Sequence, residues 1–302
     1  MSTPFYNCLS RQTLLITFAL VLFGQLAAQP APDLKSKGSA GSAEVVTLKL
    51  ASKLMARDMP YRVVFPKDYK AKTTARFPVI YLLHGLTGHY NNWTDRTAVA
   101  EYAFSHNFII VTPEGDNGWY ADSVSRATDK YESYIVKELI PEVDKSLRTL
   151  ADRDNRMIAG LSMGGYGSLK FGIKYPEMFS IVGSFSGALG AASYSEKTIG
   201  TIGKSVDSIF GAEQSEARHA NDIFKLVRDI SPEKHKALPF IYLSCGTEDF
   251  LILSNREFLS LMNEKKVPHE YREHPGVHDW KFWDDQVREF LDVAAKRMKK
   301  KC

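Results

Sequence analysis

The chain has 302 residues, with 39 Lys and Arg against 35 Asp and Glu, a net charge of +4, and 44% hydrophobic residues. So mild a charge balance, without a helix-long Lys/Arg stripe interleaved with aromatics, argues against a nucleic-acid partner. With the tails set aside, about 255 residues remain, enough for a single domain with a sizeable core.

In chain order, Arg11, the apolar run Leu14 to Phe23 and then Gln25-Leu26-Ala27-Ala28-Gln29-Pro30 form a charged, apolar and small-residue series. That is the pattern of a signal peptide, too short for a membrane span. It predicts cleavage near Ala28, export to the periplasm or the extracellular space, and a mature chain without a stable membrane anchor. Residues 1–28 are thus read as the signal, 29–43 as a flexible linker rich in Ala, Ser, Gly, Lys and Pro, and 44–302 as one folded domain. If Cys8 leaves with the signal, Cys245 and Cys302 remain, and Cys245, ending an apolar run, reads as a free core thiol. The basic stretch Lys296 to Lys301 reads as a solvated end.

Glu44 to Leu50 and Tyr61 to Phe65 read as opening strands. Phe77-Pro78-Val79-Ile80-Tyr81-Leu82-Leu83 has the continuous apolar pattern of a central strand and breaks at His84-Gly85-Leu86-Thr87-Gly88. Asn107 to Thr112 is another strand. Pro113 to Tyr120 follows its carboxyl end, where ligands of open α/β sheets bind. Tyr131, Tyr134, Ile135, Leu139, Ile140, Val143 and Leu147 share a helix face, and Pro141 predicts a kink or restart there. Asn155 to Ala159 reads as a strand leading into Gly160-Leu161-Ser162-Met163-Gly164-Gly165, with a helical run from Tyr166 to Tyr175 after it. Residues 187–230 form a polar insertion with a helical patch around Ala217 to Val227, too short to make a large lid. Pro239 to Ser244 is a buried strand, Phe250 to Lys265 a helix and Val267 to Tyr271 a strand; the loop His274 to Trp280 precedes a last helix. Strands alternating with helices imply a mostly parallel sheet covered on both faces.

A Gly-x-Ser-x-Gly pattern alone arises by chance about one time in ten in a chain this long. Between a strand and a helix it has the form of a nucleophile elbow, a sharp turn that strains the serine and exposes its hydroxyl. A serine hydroxyl is a weak nucleophile, so it needs a base and an acid to orient that base. On folds with such an elbow the acid and then the histidine follow the serine, each after a strand. Asp249 and His278 stand at those two places. Singly, Asp249 reads as a helix cap and His278 as a loop residue, while Glu248 and His274 are alternatives for the two roles. His84 precedes Ser162 and reads better as a backbone-shaping residue; His106, His219, His235 and His269 read as surface or structural. The loop after Leu83 is where one backbone donor to a tetrahedral oxyanion belongs, here the Leu86 N–H, with the Met163 N–H as the second. Trp119, Tyr120 and Trp280 are candidates to line an acyl or sugar pocket, or else pack in the core or at its rim. No Cys/His cluster has zinc-like spacing and no Gly-rich phosphate motif occurs, so no cofactor or metal is expected.

His84-Gly85-Leu86 after an apolar strand, Asn91-Asn92-Trp93, the Gly160 to Gly165 motif and Gly276-Val277-His278-Asp279-Trp280 together resemble the esterase D type of α/β-hydrolase. That superfamily holds S-formylglutathione hydrolases, feruloyl and acetyl xylan esterases, small-ester esterases and mycolyltransferases. The resemblance spans residues 44 to 298 and is unspecific between Ser186 and Ile230. It implies an α/β-hydrolase fold with no large lid, Ser162 as nucleophile, Asp249 as acid, His278 as base, and oxyanion donors at Leu86 and Met163. With export, it implies a serine carboxylesterase acting on small-acyl or hydroxycinnamoyl esters, on plant polysaccharide in preference to a glutathione thioester. An acyltransferase, an S-formylglutathione hydrolase-like thioesterase and a non-catalytic carbohydrate-binding protein are the alternatives. The acyl group, the alcohol and the oligomeric state are not fixed by the sequence.

Overall fold

A computed structural model describes residues 43–299; the expected signal peptide, the linker up to residue 42, Cys8 and Cys302 lie outside them. The strands are β1 (Glu44–Ser52), β2 (Arg57–Phe65), β3 (Val79–Leu83), β4 (Ile109–Pro113), β5 (Arg156–Leu161), β6 (Ile181–Phe185), β7 (Phe240–Gly246) and β8 (His269–His274). They form one sheet in the order β1-β2-β4-β3-β5-β6-β7-β8. The pairs β1/β2 and β2/β4 are antiparallel, and every pair from β4 to β8 is parallel.

β3, β4, β5 and β6 are buried at every residue, as strands covered on both faces must be. Alternate residues serve opposite cores: Val79, Tyr81, Leu83 and Ile158 enter one, and Ile80, Leu82, Met157, Ala159 and Leu161 the other. The helices are α1 (Asn92–Arg96), α2 (Val99–His106), α3 (Tyr131–Tyr134), α4 (Ile140–Ser146), α5 (Met163–Lys174), α6 (Glu196–Phe210), α7 (Glu216–His219), α8 (Ile223–Arg228), α9 (Pro232–Ala237), α10 (Ile252–Glu264) and α11 (Trp280–Lys299). The first core takes side chains of α3, α5, α8 and α10, and the second those of α1, α2 and α11. This is the α/β-hydrolase arrangement expected from the sequence.

Between α3 and α4 the chain runs as a π-helical stretch, Ile135–Leu139, and Pro141 falls in the first turn of α4. Proline has no N–H to donate and crowds the carbonyl four residues back; widening the preceding turn accommodates it. Among the elements not read from the sequence are β6 and the 15-residue α6 inside the insertion. α6 breaks at Ile199–Gly200, where Gly200 takes φ 58°, and this interruption blurs its helical period. The last strand begins two residues later than read. It is the charged edge strand β8, whose Arg272 pairs with Glu270 and with Glu289 of α11. Among the described residues no helix is long and apolar enough to cross a membrane.

Because the strands from β4 to β8 run parallel, the loops after β3, β4, β5, β6, β7 and β8 all open at one sheet edge.

Candidate active site

Ser162 links β5 to α5 with φ 52° and ψ −116°, a conformation that costs a non-glycine residue energy. Its neighbours make the turn possible. A Cβ added at Gly164 would lie 2.4 Å from the Leu83 carbonyl oxygen and 2.6 Å from that of His84, and one at Gly160 would lie 2.5 Å from the Gly164 backbone. The turn is also pinned: the Ser162 N–H donates to Phe185 O at 2.9 Å, and its carbonyl accepts from Tyr166 and Ala188, each at 3.0 Å. Ser162 stays partly exposed between the buried Leu161 and Met163.

The hydroxyl of Ser162 lies 3.0 Å from His278 Nε2, and His278 Nδ1 lies 2.8 Å from Asp249 Oδ2. Nδ1–H therefore donates to the carboxylate, leaving Nε2 free to accept the serine proton. Asp249 Oδ1 accepts the Leu251 N–H at 2.8 Å. Burial alone would raise the Asp249 pKa, but the bond to His278, its charge and the Leu251 N–H outweigh burial and hold the carboxyl below its ordinary range.

The two loops are knitted through their backbones. Gly276 N–H donates to Glu248 Oε2 at 2.7 Å, Glu248 N–H to Gly276 O at 3.1 Å, and Thr247 N–H to His274 O at 2.9 Å. Gly246 allows this approach, since a Cβ there would sit 2.2 Å from Gly276 O. Glu248 is thus a clasp of the histidine loop, and His274 turns to Glu289 at 3.5 Å. Of the rival pairs, the structure brings Asp249 and His278 to Ser162.

The β3 loop lies against the elbow, where a Cβ on Gly85 would be 3.4 Å from Ser162 Cβ. Its carbonyls are tied in succession. Trp93 Nε1 donates to Leu83 O at 3.0 Å, Tyr120 Oη to His84 O at 2.9 Å, and both His84 Nδ1 (2.8 Å) and Gly88 N–H (3.0 Å) bond Gly85 O. In a trans peptide the N–H points opposite the C=O, so fixing Gly85 O also aims the Leu86 N–H. The Met163 N–H, at the first position of α5, has no partner within its own helix.

Glu114 backs this loop from the end of β4. Its Oε1 lies 3.1 Å from His84 Nε2 and accepts the Asp116 N–H at 2.7 Å; its Oε2 faces His89 Nδ1 at 3.2 Å and the Tyr90 N–H at 3.3 Å. Burial opposes ionisation, yet His84 and these N–H groups bring the carboxyl down to about 2. His89, Glu114 and Asp116 also form a possible three-ligand cluster. Asp116, however, is already bound by Arg57 at 2.8 Å and by the Tyr131 hydroxyl, so loop support accounts for the group.

Of the two readings of Trp119 and Tyr120, pocket lining or core packing, the structure shows packing in the core. Both are buried, and both take φ 50°. The Trp119 ring meets Tyr166, Tyr194 and Phe210 edge-on at 5.9, 6.1 and 6.4 Å. Tyr120 fills space left by Gly115 and Gly167, where a Cβ would come within 2.5 and 2.6 Å of its ring. The left-handed turn delivers both rings to the core, although the segment does follow a strand end. Trp280 is half-buried between Trp93 and Trp283, with ring centroids 5.6 and 5.2 Å away, and Trp283 in turn meets the His278 ring at 4.9 Å.

Two supports escaped the sequence reading. Glu114 could have been noticed as an acid directly after an apolar strand. Lys170, one face of α5, is fully buried: its Nζ donates to Tyr120 O at 2.7 Å and to Asn221 Oδ1 at 2.9 Å, and pairs with Glu132 at 2.9 Å.

A family model named Esterase, described as "Putative esterase", matches residues 52–291. The acetyl esterase of Caldicellulosiruptor saccharolyticus is 26% identical over 275 residues, covering 83% of this chain and 98% of that protein. A solved ferulic acid esterase superposes with a TM-score of 0.73 at 28% identity, over 84% of this chain and 99% of that one. FphF, a fluorophosphonate-binding serine hydrolase of Staphylococcus aureus, shares the fold at a TM-score of 0.75 and 24% identity, over 84% of this chain and 99% of that one. The family match runs from the last residue of β1 through β8 into α11, and on it the chain belongs to the Esterase family, as a carboxylic ester hydrolase of the α/β-hydrolase fold.

Proposed function

We propose that the chain cleaves esters through an acyl-enzyme on Ser162, with His278 as base and acid and Asp249 holding the imidazole. The observation that carries this is the continuous hydrogen-bonded series Ser162 Oγ, His278 and Asp249, at 3.0 and 2.8 Å. Ser162 Oγ attacks the ester carbonyl carbon while its proton passes to Nε2. The tetrahedral oxyanion is received by the Leu86 and Met163 N–H groups. Collapse breaks the bond to the alkoxy oxygen, which takes the proton from Nε2 and departs as the alcohol. Water then gives a proton to Nε2, attacks the acyl carbon, and a second collapse releases the acid and returns the proton to Ser162.

For the substrate we propose small-acyl or hydroxycinnamoyl esters, on plant polysaccharide. The names of an acetyl esterase and a ferulic acid esterase among the similar proteins support the acyl classes, and the signal-like amino terminus supports an exported enzyme and hence an extracellular polymer. Hydrolysis of p-nitrophenyl acetate, butyrate and octanoate and of methyl ferulate, with Ser162→Ala alongside, tests the reading. Loss in the variant with a preference for acetate or ferulate is expected. Turnover that survives in Ser162→Ala contradicts the mechanism, and a preference for octanoate contradicts the acyl class.

A further inference from the structure

The two aromatic rings on the His278 imidazole differ in what lies beyond them. Trp283 is buried and meets the imidazole edge-on at 4.9 Å. Phe250 lies 4.6 Å from the same ring, tilted by 49°, and is 75% exposed. Leu253, three residues along the chain, is 69% exposed, and Val277, next to His278, is 48% exposed. Among the described residues six large hydrophobic side chains are exposed, and these three belong to the segments that carry Asp249 and His278. Scattered apolar residues on a surface are ordinary, but an exposed ring lying against the imidazole marks a contact surface.

Phe250 is also held in place. The Asp249 N–H donates to Gly246 O at 3.1 Å, the Leu251 N–H to Asp249 Oδ1 at 2.8 Å, and the Ile252 N–H to Asp249 O at 3.0 Å. The turn that presents the ring is therefore fastened to the carboxylate that orients the imidazole, so the backbone carrying the ring is set before substrate arrives.

The chemistry decides which half of the ester passes this ring. His278 Nε2 must reach the alkoxy oxygen to protonate it, so the first carbons of the alcohol lie beside the imidazole. The carbonyl oxygen, by contrast, is directed toward the Gly85–Leu86 loop. Resting on the proposed roles of Ser162 and His278, we propose that Phe250 is the contact surface for the alcohol half of the ester and selects alcohols that carry a ring with an apolar face.

Three alkyl esters separate the possibilities: ethyl acetate has no ring, benzyl acetate has it on the alcohol, and ethyl phenylacetate has it on the acyl group. Phe250→Ala is expected to lower kcat/KM for benzyl acetate on the order of tenfold, the scale of one aromatic contact, mostly through KM. The ratio of kcat/KM for benzyl acetate to that for each of the other two esters is expected to fall by most of that factor, and Phe250→Tyr retains the benzyl preference. Equal loss on all three esters, loss confined to ethyl phenylacetate, or no loss on any overturns the proposal. Turnover of ethyl acetate that survives in Ser162→Ala is a separate result, and it removes the underlying mechanism instead.

Discussion

His84 donates from Nδ1 to the carbonyl oxygen of its own neighbour, Gly85, at 2.8 Å. That bond fixes the peptide whose other end is the Leu86 N–H, so a buried histidine outside the Ser162, His278 and Asp249 series holds the peptide of the donor proposed for the oxyanion. His84→Ala is expected to lower kcat by on the order of 10²-fold, the scale of losing one such donor, with KM little changed. His84→Asn, whose amide can donate from near the Nδ1 position, should recover part of it. Steady-state kinetics on p-nitrophenyl acetate measure both. Equal changes in KM and kcat for the two variants would mean that the loop is only generally loosened.

Asp249 and Glu248 are adjacent, but they make different connections. Asp249→Asn removes the acceptor that fixes the His278 tautomer and is expected to cost on the order of 10⁴ in kcat. Glu248→Gln keeps an acceptor for the Gly276 N–H and is expected to stay within about tenfold of wild type. Comparable losses in the two variants would reverse the assignment of roles.

Glu114 and Glu132 are each held at about 2 against an ordinary 4.5, by His84 and backbone N–H groups in one case and by Lys170 and Lys174 in the other, in both against the effect of burial. A depressed carboxyl contributes stability that is present above its unfolded pKa and is lost as pH falls through the folded value. Below about 4.5 the unfolded chain binds more protons, so stability should fall from there toward about 2. Urea unfolding between pH 5 and 2.5 measures this, and Glu114→Gln should flatten the slope. An unchanged slope in the variant would contradict the linkage.

Lys170 and Glu132 form a pair closed off from water. Lys170→Met leaves the Glu132 carboxylate short of a cation and is expected to destabilise the fold by about 3–5 kcal/mol, while Lys170→Met with Glu132→Gln recovers part of the loss. Thermal unfolding of both variants decides it; a double variant no more stable than the single one would mean that the cost is one of packing.

The residues at strand ends were legible because chain order and hydrophobic period act locally: Ser162 and Asp249 each follow an apolar run, His278 follows the last strand, and the structure sets the three side by side. What stayed hidden depends on backbone conformation and distant partners. Trp119 and Tyr120 follow a strand as pocket residues would, and nothing in their sequence announces two successive left-handed residues, or the room that Gly167 leaves 47 positions on. Glu114 acts through His84, which lies on another loop, and Lys170 looks like one more charge on a helix until Glu132 and Tyr120 are brought to it. β6 carries Gly183 and Ser184 within its five residues and α6 is broken at Gly200, so neither shows a sustained apolar period.

The central claim is a covalent acyl-enzyme on Ser162. The direct measurement is mass spectrometry of the enzyme quenched in acid during turnover of p-nitrophenyl acetate, with the modified peptide sequenced. The account predicts an acetyl group on Ser162 that accumulates in the wild type and is absent from Ser162→Ala. Turnover with the acetyl group on another residue, or an unmodified Ser162 during rapid hydrolysis that Ser162→Ala retains, would contradict it.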